Sequence, residues 1–123
     1  MTRETIQECG IVPVVTIGHA EEAVPVAEAL LSGGVKVIEI TFRTEEAEEA
    51  LRSITSEVPG ILAGAGTVRT VDQLERALDA GARFVVTPGF NRRIVELAVK
   101  RHMPIYPGVV TPGEIETVSE YGI

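Results

Sequence analysis

The sequence predicts an α/β protein built from parallel strands and crossover helices, of the (β/α)8 barrel type. Short β-branched runs alternate with helical patterns along all 123 residues. The candidate strands begin at Ile11, Lys36, Ile61, Phe84 and Met103, so starts recur every 19–25 residues, which is the spacing of a βα unit. The second strand, Lys36–Phe42 followed by Arg43, carries the most telling pattern. Side chains alternate along a strand, so Ile38, Ile40 and Phe42 share one face and Glu39, Thr41 and Arg43 the other. A strand in an open doubly wound sheet is covered on both faces and rarely buries such a polar row. The inner face of a barrel instead opens at its C-terminal end into a solvated site. A five-stranded flavodoxin-like open sheet is the alternative. Against it, Gly18-His19 after the first strand is no glycine-rich phosphate loop, and no acidic cluster marks the strand ends.

Taken in order, a leading helix over residues 2–9 closes at Gly10, and βα units follow from residue 11 onward as a single, partial barrel domain. The first crossover helix spans Ala20–Leu31, with Pro25 near its first turn and Gly33-Gly34 as a left-handed stop. Thr44 opens the second, in which Ala47, Ala50, Leu51 and Ile54 make one apolar stripe. Thr70-Val71-Asp72-Gln73 reads as a capping box for the third, which points Leu74 and Leu78 inward and stops at Gly81. Asn91 starts the fourth, bringing Ile94, Leu97 and Ala98 together. Thr111-Pro112-Gly113-Glu114 starts the fifth, with proline at the first helical position. Ile123 falls where a sixth strand is due.

A net charge of −7 argues against a general nucleic-acid or anionic-membrane binder, while leaving room for one basic pocket. The single cysteine, Cys9, makes no internal disulfide and reads as a small half-buried apolar residue. His19 and His102 stand apart, without metal-ligand spacing. The N-terminus is too polar for a signal peptide, and no apolar run approaches the roughly 20 residues that span a bilayer. A cytoplasmic protein is expected.

Polar or small residues gather at the C-terminal strand ends, where barrels place their chemistry: Gly64-Ala65-Gly66-Thr67, Thr87-Pro88-Gly89 and Tyr106-Pro107-Gly108. Each is also an ordinary strand-to-loop turn. Glu39 in a barrel mouth has its pKa raised by desolvation and serves as a general acid/base, or else it is a structural acid paired with Arg43 or Lys36. Arg43 suits a substrate carboxylate through a bidentate pair, or else a surface bridge to Glu45 or Glu46. The acidic run Glu45, Glu46, Glu48 and Glu49 is a solvated helix start favoured by the macrodipole.

The succession IVPVV, GGVKVIEITFRTEEA, AGAGTV, AGARFVVTPGF and PIYPGVVTPGE resembles the 2-keto-3-deoxy-6-phosphogluconate (KDPG) and 4-hydroxy-2-oxoglutarate (KHG) aldolase family, block by block from about Ile11 to Ile123. The resemblance implies a (β/α)8 barrel, a homotrimer, and metal- and cofactor-free aldol chemistry through a lysine Schiff base, releasing pyruvate and an aldehyde from a 2-keto acid substrate. It makes Glu39 the catalytic acid/base and places Arg43, Thr67 and Pro88 around the substrate's pyruvoyl end. The family's Schiff-base lysine belongs to strand six, and neither Lys36 nor Lys100 matches it. The expectation is that these 123 residues alone are inactive. The alternative, from a different class, is a non-catalytic, self-assembling half-barrel scaffold.

Overall fold

In the computed structural model, which describes residues 2–123, strands β1 (Val14–Val15), β2 (Val37–Thr41), β3 (Leu62–Gly66), β4 (Val85–Thr87) and β5 (Ile105–Pro107) lie side by side in sequence order, every neighbouring pair parallel. Helix α1 (Thr2–Cys9) precedes them. Helices α2 (Ala23–Ser32), α3 (Ala47–Glu57), α4 (Val71–Asp79) and α5 (Arg92–Lys100) are the crossovers, and α6 (Pro112–Glu120) follows β5. Parallel neighbours joined in strict succession by right-handed crossovers keep every crossover helix on one side of the sheet. A flavodoxin-like sheet runs 2-1-3-4-5 with helices on both sides. The observed order therefore excludes that alternative.

The core lies between the sheet and those helices. Ile38 and Ile40 of β2, Ala63 and Ala65 of β3 and Val85 of β4 pack with Ala50, Leu51 and Ile54 of α3, Leu74 and Ala77 of α4, and Ile94, Val95 and Ala98 of α5. Removing such fully buried side chains from water stabilises by about 1.5–3 kcal/mol for each of the larger ones. The other sheet face is left to different residues, and the site is built there.

Local signals fix most helix ends. The Asn91 side chain accepts from Arg93 N (3.1 Å) and Ile94 N (3.4 Å), and Thr111 with Glu114 forms a full capping box ahead of α6. At Thr70 only half the expected box forms. Its hydroxyl accepts from Gln73 N, but the Gln73 side chain reaches one residue further back, to Arg69 N (2.8 Å). Gly10, Gly34 and Gly81 take the left-handed stops at φ +72°, +86° and +87°.

Three expectations need correction. The first strand shrinks from Ile11–Ile17 to Val14–Val15; Pro13 has no N–H to give the ladder and contributes its carbonyl alone, to Glu39 N (2.9 Å). The first crossover helix opens as a 3-10 turn over Ala20–Glu22, and α2 proper begins at Ala23, which puts Pro25 in its first turn. Thr44 does not open α3. Its hydroxyl donates to Ile17 O (2.7 Å), across to the end of β1, and the helix starts at Ala47. Among the described residues, no helix is long and apolar enough to cross a membrane.

Candidate active site

Because Ile38 and Ile40 face the helices, Glu39 and Thr41 must face the opposite, inner side of the sheet. Both are buried, at 6% and 0% exposure. The Glu39 carboxylate has no hydrogen-bond partner among the described residues. Burial pushes its pKa up, and the positive charge of Arg43 offsets only part of that rise. No buried side-chain oxygen among the described residues lacks a partner, so the unpartnered carboxylate keeps its remaining exposure at its oxygens, facing the mouth of the site. A largely desolvated carboxylate with a raised pKa marks a functional-site candidate.

The room for it comes from β3. Glu39 lies level with Gly64, and Thr41 with Gly66. A Cβ at Gly66 would collide with the Glu39 carboxylate, so that side chain leans over bare backbone towards the C-terminal end of the sheet. A Cβ at Gly64 would sit 2.5 Å from the ring of Phe84. The two glycines of Gly64-Ala65-Gly66 are thus vacated for two different neighbours.

Arg43 lies beyond the end of β2, in the turn before α3, and its side chain is exposed. Among the described residues it forms no ion pair with Glu39, Glu45 or Glu46, which leaves its planar fork open to a ligand. Thr67, at the head of β3, adopts φ +56°. A left-handed conformation at a β-branched residue costs on the order of 1–3 kcal/mol and clusters at functional sites. Pro88 is exposed at the head of β4, where its carbonyl presses on Gly108 closely enough to exclude a Cβ there. Arg43, Thr67 and Pro88 therefore mark one rim at the heads of three adjacent strands, with Glu39 lower on the wall.

Side chains tie that rim together. The Thr16 and Thr41 hydroxyls meet at 2.9 Å, and Glu46 accepts from Ala20 N (3.1 Å). The Gln73 amide donates to Phe42 O (3.3 Å) while accepting from Arg69 N, which links the turn carrying Arg43 to the turn after Thr67. The acidic run is accordingly more than a solvated helix start. Glu46 holds the β1 turn, and Glu48 binds Arg52 (2.9 Å) and Arg76 (2.6 Å), joining α3 to α4.

Sequence reasoning missed the floor of the site. Ile6 of α1, Val12, Phe84, Val86 and Tyr106 line with Glu39 a partly open cavity of about 240 Å3. Strand parity carried a signal for part of it, since Phe84, Val86 and Pro88 alternate onto one face, as do Pro104 and Tyr106. Nothing local announces Ile6. A larger cavity of about 650 Å3 opens along the free edge of β5, between the start of α1 and Tyr121–Ile123; no acidic side chain lines it. Among the described residues no group of His, Cys, Asp and Glu is placed to hold a metal.

The family model described as KDPG and KHG aldolase matches residues 2–123. The chain belongs to that family. A 2-dehydro-3-deoxy-phosphogluconate aldolase of Treponema pallidum is 47% identical over 120 residues, covering 98% of this chain and 57% of the relative. A KHG/KDPG aldolase of Escherichia coli K12 is 42% identical over 113 residues, covering 92% of this chain and 53% of the relative. The solved KDPG aldolase of Legionella pneumophila, with pyruvate captured at low pH as a covalent carbinolamine, superposes with a TM-score of 0.93 at 36% identity, over 100% of this chain and 60% of that one. The chain spans little more than half the length of the curated relatives it matches. The two lysines of this chain, Lys36 and Lys100, both lie outside the Glu39 cavity.

Proposed function

We propose that these residues form the acid/base side of a class I aldolase site that cleaves KDPG or KHG to pyruvate and an aldehyde. The observation that carries the reading is the largely buried Glu39 side chain, its carboxylate without a hydrogen-bond partner and leaning over Gly66 within the field of the exposed Arg43 guanidinium. Arg43 grips the substrate carboxylate bidentately, and Thr67 and Pro88 close around the pyruvoyl end. An amine then adds to the C2 carbonyl. Glu39 hands a proton to the departing oxygen as the carbinolamine becomes an imine. When the C3–C4 bond breaks, its electron pair passes into an enamine, and the C4 hydroxyl proton passes to the Glu39 carboxylate left by the dehydration, as the C4–O bond becomes the aldehyde carbonyl. Glu39, as the acid, returns a proton to C3, which becomes the pyruvate methyl group. Burial suits Glu39 to both directions, because a raised pKa brings the two protonation states closer in energy at working pH.

We extend this to a closed (β/α)8 barrel working as a cytoplasmic homotrimer without metal or cofactor, its amine supplied by a lysine on a further strand. The test compares two proteins by pyruvate release from KDPG and from KHG. One is the 123-residue chain alone. The other is a graft in which these residues replace the matching 120-residue segment of the Treponema pallidum relative. The graft is expected to release pyruvate and the chain alone none. Turnover by the chain alone would overturn the placement of the amine, and a folded but silent graft would overturn the aldolase reading.

A further inference from the structure

We infer that Phe84 is a positioning residue for Glu39, its ring admitted by the bare backbone of Gly64 and forming the apolar floor that strips water from the inner side of the carboxyl group. This deepens the proposed function and rests on Glu39 being its proton carrier.

Strand register brings the two side chains together. Glu39 pairs with Gly64, and Ala65 pairs with Val85, so Glu39, Gly64 and Phe84 occupy one level across three adjacent strands. All three point to the inner face. With an ordinary side chain in the middle position, Glu39 and Phe84 would be screened from each other. Glycine leaves a gap two strand spacings wide, about 10 Å between backbones. The Phe84 ring turns into that gap, coming within 2.5 Å of where a Cβ would stand, and is 1% exposed. Tyr106 braces it edge-on, with centroids 6.2 Å apart at 73°, an arrangement that favours one ring orientation.

Ring and carboxylate line the same 240 Å3 cavity, whose other walls are Ile6, Val12, Val86 and Tyr106. Of the elements around Glu39, its own strand brings the charge of Arg43, and β5 brings the Tyr106 phenol. β1 turns Val14 inward and the segment before it Val12, β3 offers glycines, and α1 contributes Ile6. Apart from Arg43, no charged side chain faces the carboxylate among the described residues. The apolar floor is therefore what opposes its ionisation from below, and Phe84 is the largest apolar side chain within it.

The experiment is a carboxyl-carbon NMR titration of Glu39 in the 123-residue chain carrying 13C-labelled glutamate, compared with Phe84→Leu and Phe84→Ala. Both variants are expected to lower the Glu39 midpoint towards the ordinary carboxylate value, alanine more than leucine. An unchanged or raised Glu39 midpoint in a folded variant overturns the proposal. Nuclear Overhauser contacts between the Phe84 ring protons and the Glu39 γ-methylene of the unsubstituted chain give a second readout if the variants unfold. Their presence is expected, and their absence overturns it. Neither readout needs turnover, so a failed titration is distinguishable from a silent graft.

Discussion

Replacing Glu39 by glutamine removes a charge that burial opposes, and the consequence for stability has a definite sign. The folded pKa of Glu39 lies above its unfolded value. Its favourable contribution is present while both states are protonated, and is lost as pH rises through the raised folded pKa. Glu39→Gln is therefore expected to raise the melting temperature at pH 8 and to give little or no gain below about pH 4, the ordinary carboxylate range. Thermal unfolding of both proteins across that pH span measures it. A glutamine variant less stable at pH 8 would show that the carboxylate is satisfied in place and structural. A site residue that costs the fold stability is a usual sign that function maintains it.

At the scale of single elements, capping and clamping decide where helices begin. Asn91 satisfies two backbone N–H groups at the start of α5, so Asn91→Ala is expected to cost about 1 kcal/mol in chemical denaturation. A change near zero would mean that water replaces the cap without loss. The starts of α5 and α6 were legible in the sequence because Asn91 and Thr111 act within three residues of themselves. The start of α3 was not. Thr44 resembles a cap, but its hydroxyl is committed to Ile17, 27 positions away, and no local pattern carries that bond. Gln73 misleads for the same reason: it serves the turn after β2 as well as its own helix. Glu39 and Thr41 could be placed on one face because strand parity is strict, whereas their meeting with Gly66 depends on the register of β3, and the left-handed Thr67 has no signature in residue type. The polar row was readable as alternation. The floor beneath it was not, since it depends on α1 docking Ile6 against residues far along the chain.

For the molecule as a whole, the sequential strand order leaves β1 and β5 each paired on one side only among the described residues. Val14, level with Glu39 on the inner face, is 58% exposed. Unpaired parallel edges flanked by apolar surface associate. Light scattering coupled to gel filtration is accordingly expected to give a mass above the 13.2 kDa of one chain. A monodisperse monomer would mean that the edges are covered in a way the fold does not reveal. The parallel succession of βα units was foreseeable from their spacing, and the strand order removes the flavodoxin-like alternative that spacing alone left open. The proposed chemistry turns on one carboxyl group. Its most direct test is deuterium exchange of the pyruvate methyl group in D2O, followed by proton NMR on the Treponema pallidum graft with and without Glu39→Gln. Exchange isolates the proton step from aldol cleavage. The substitution should slow it by about 100- to 10,000-fold while pyruvate still binds. Exchange at an undiminished rate would mean that another group carries the proton and that Glu39 is not the acid/base.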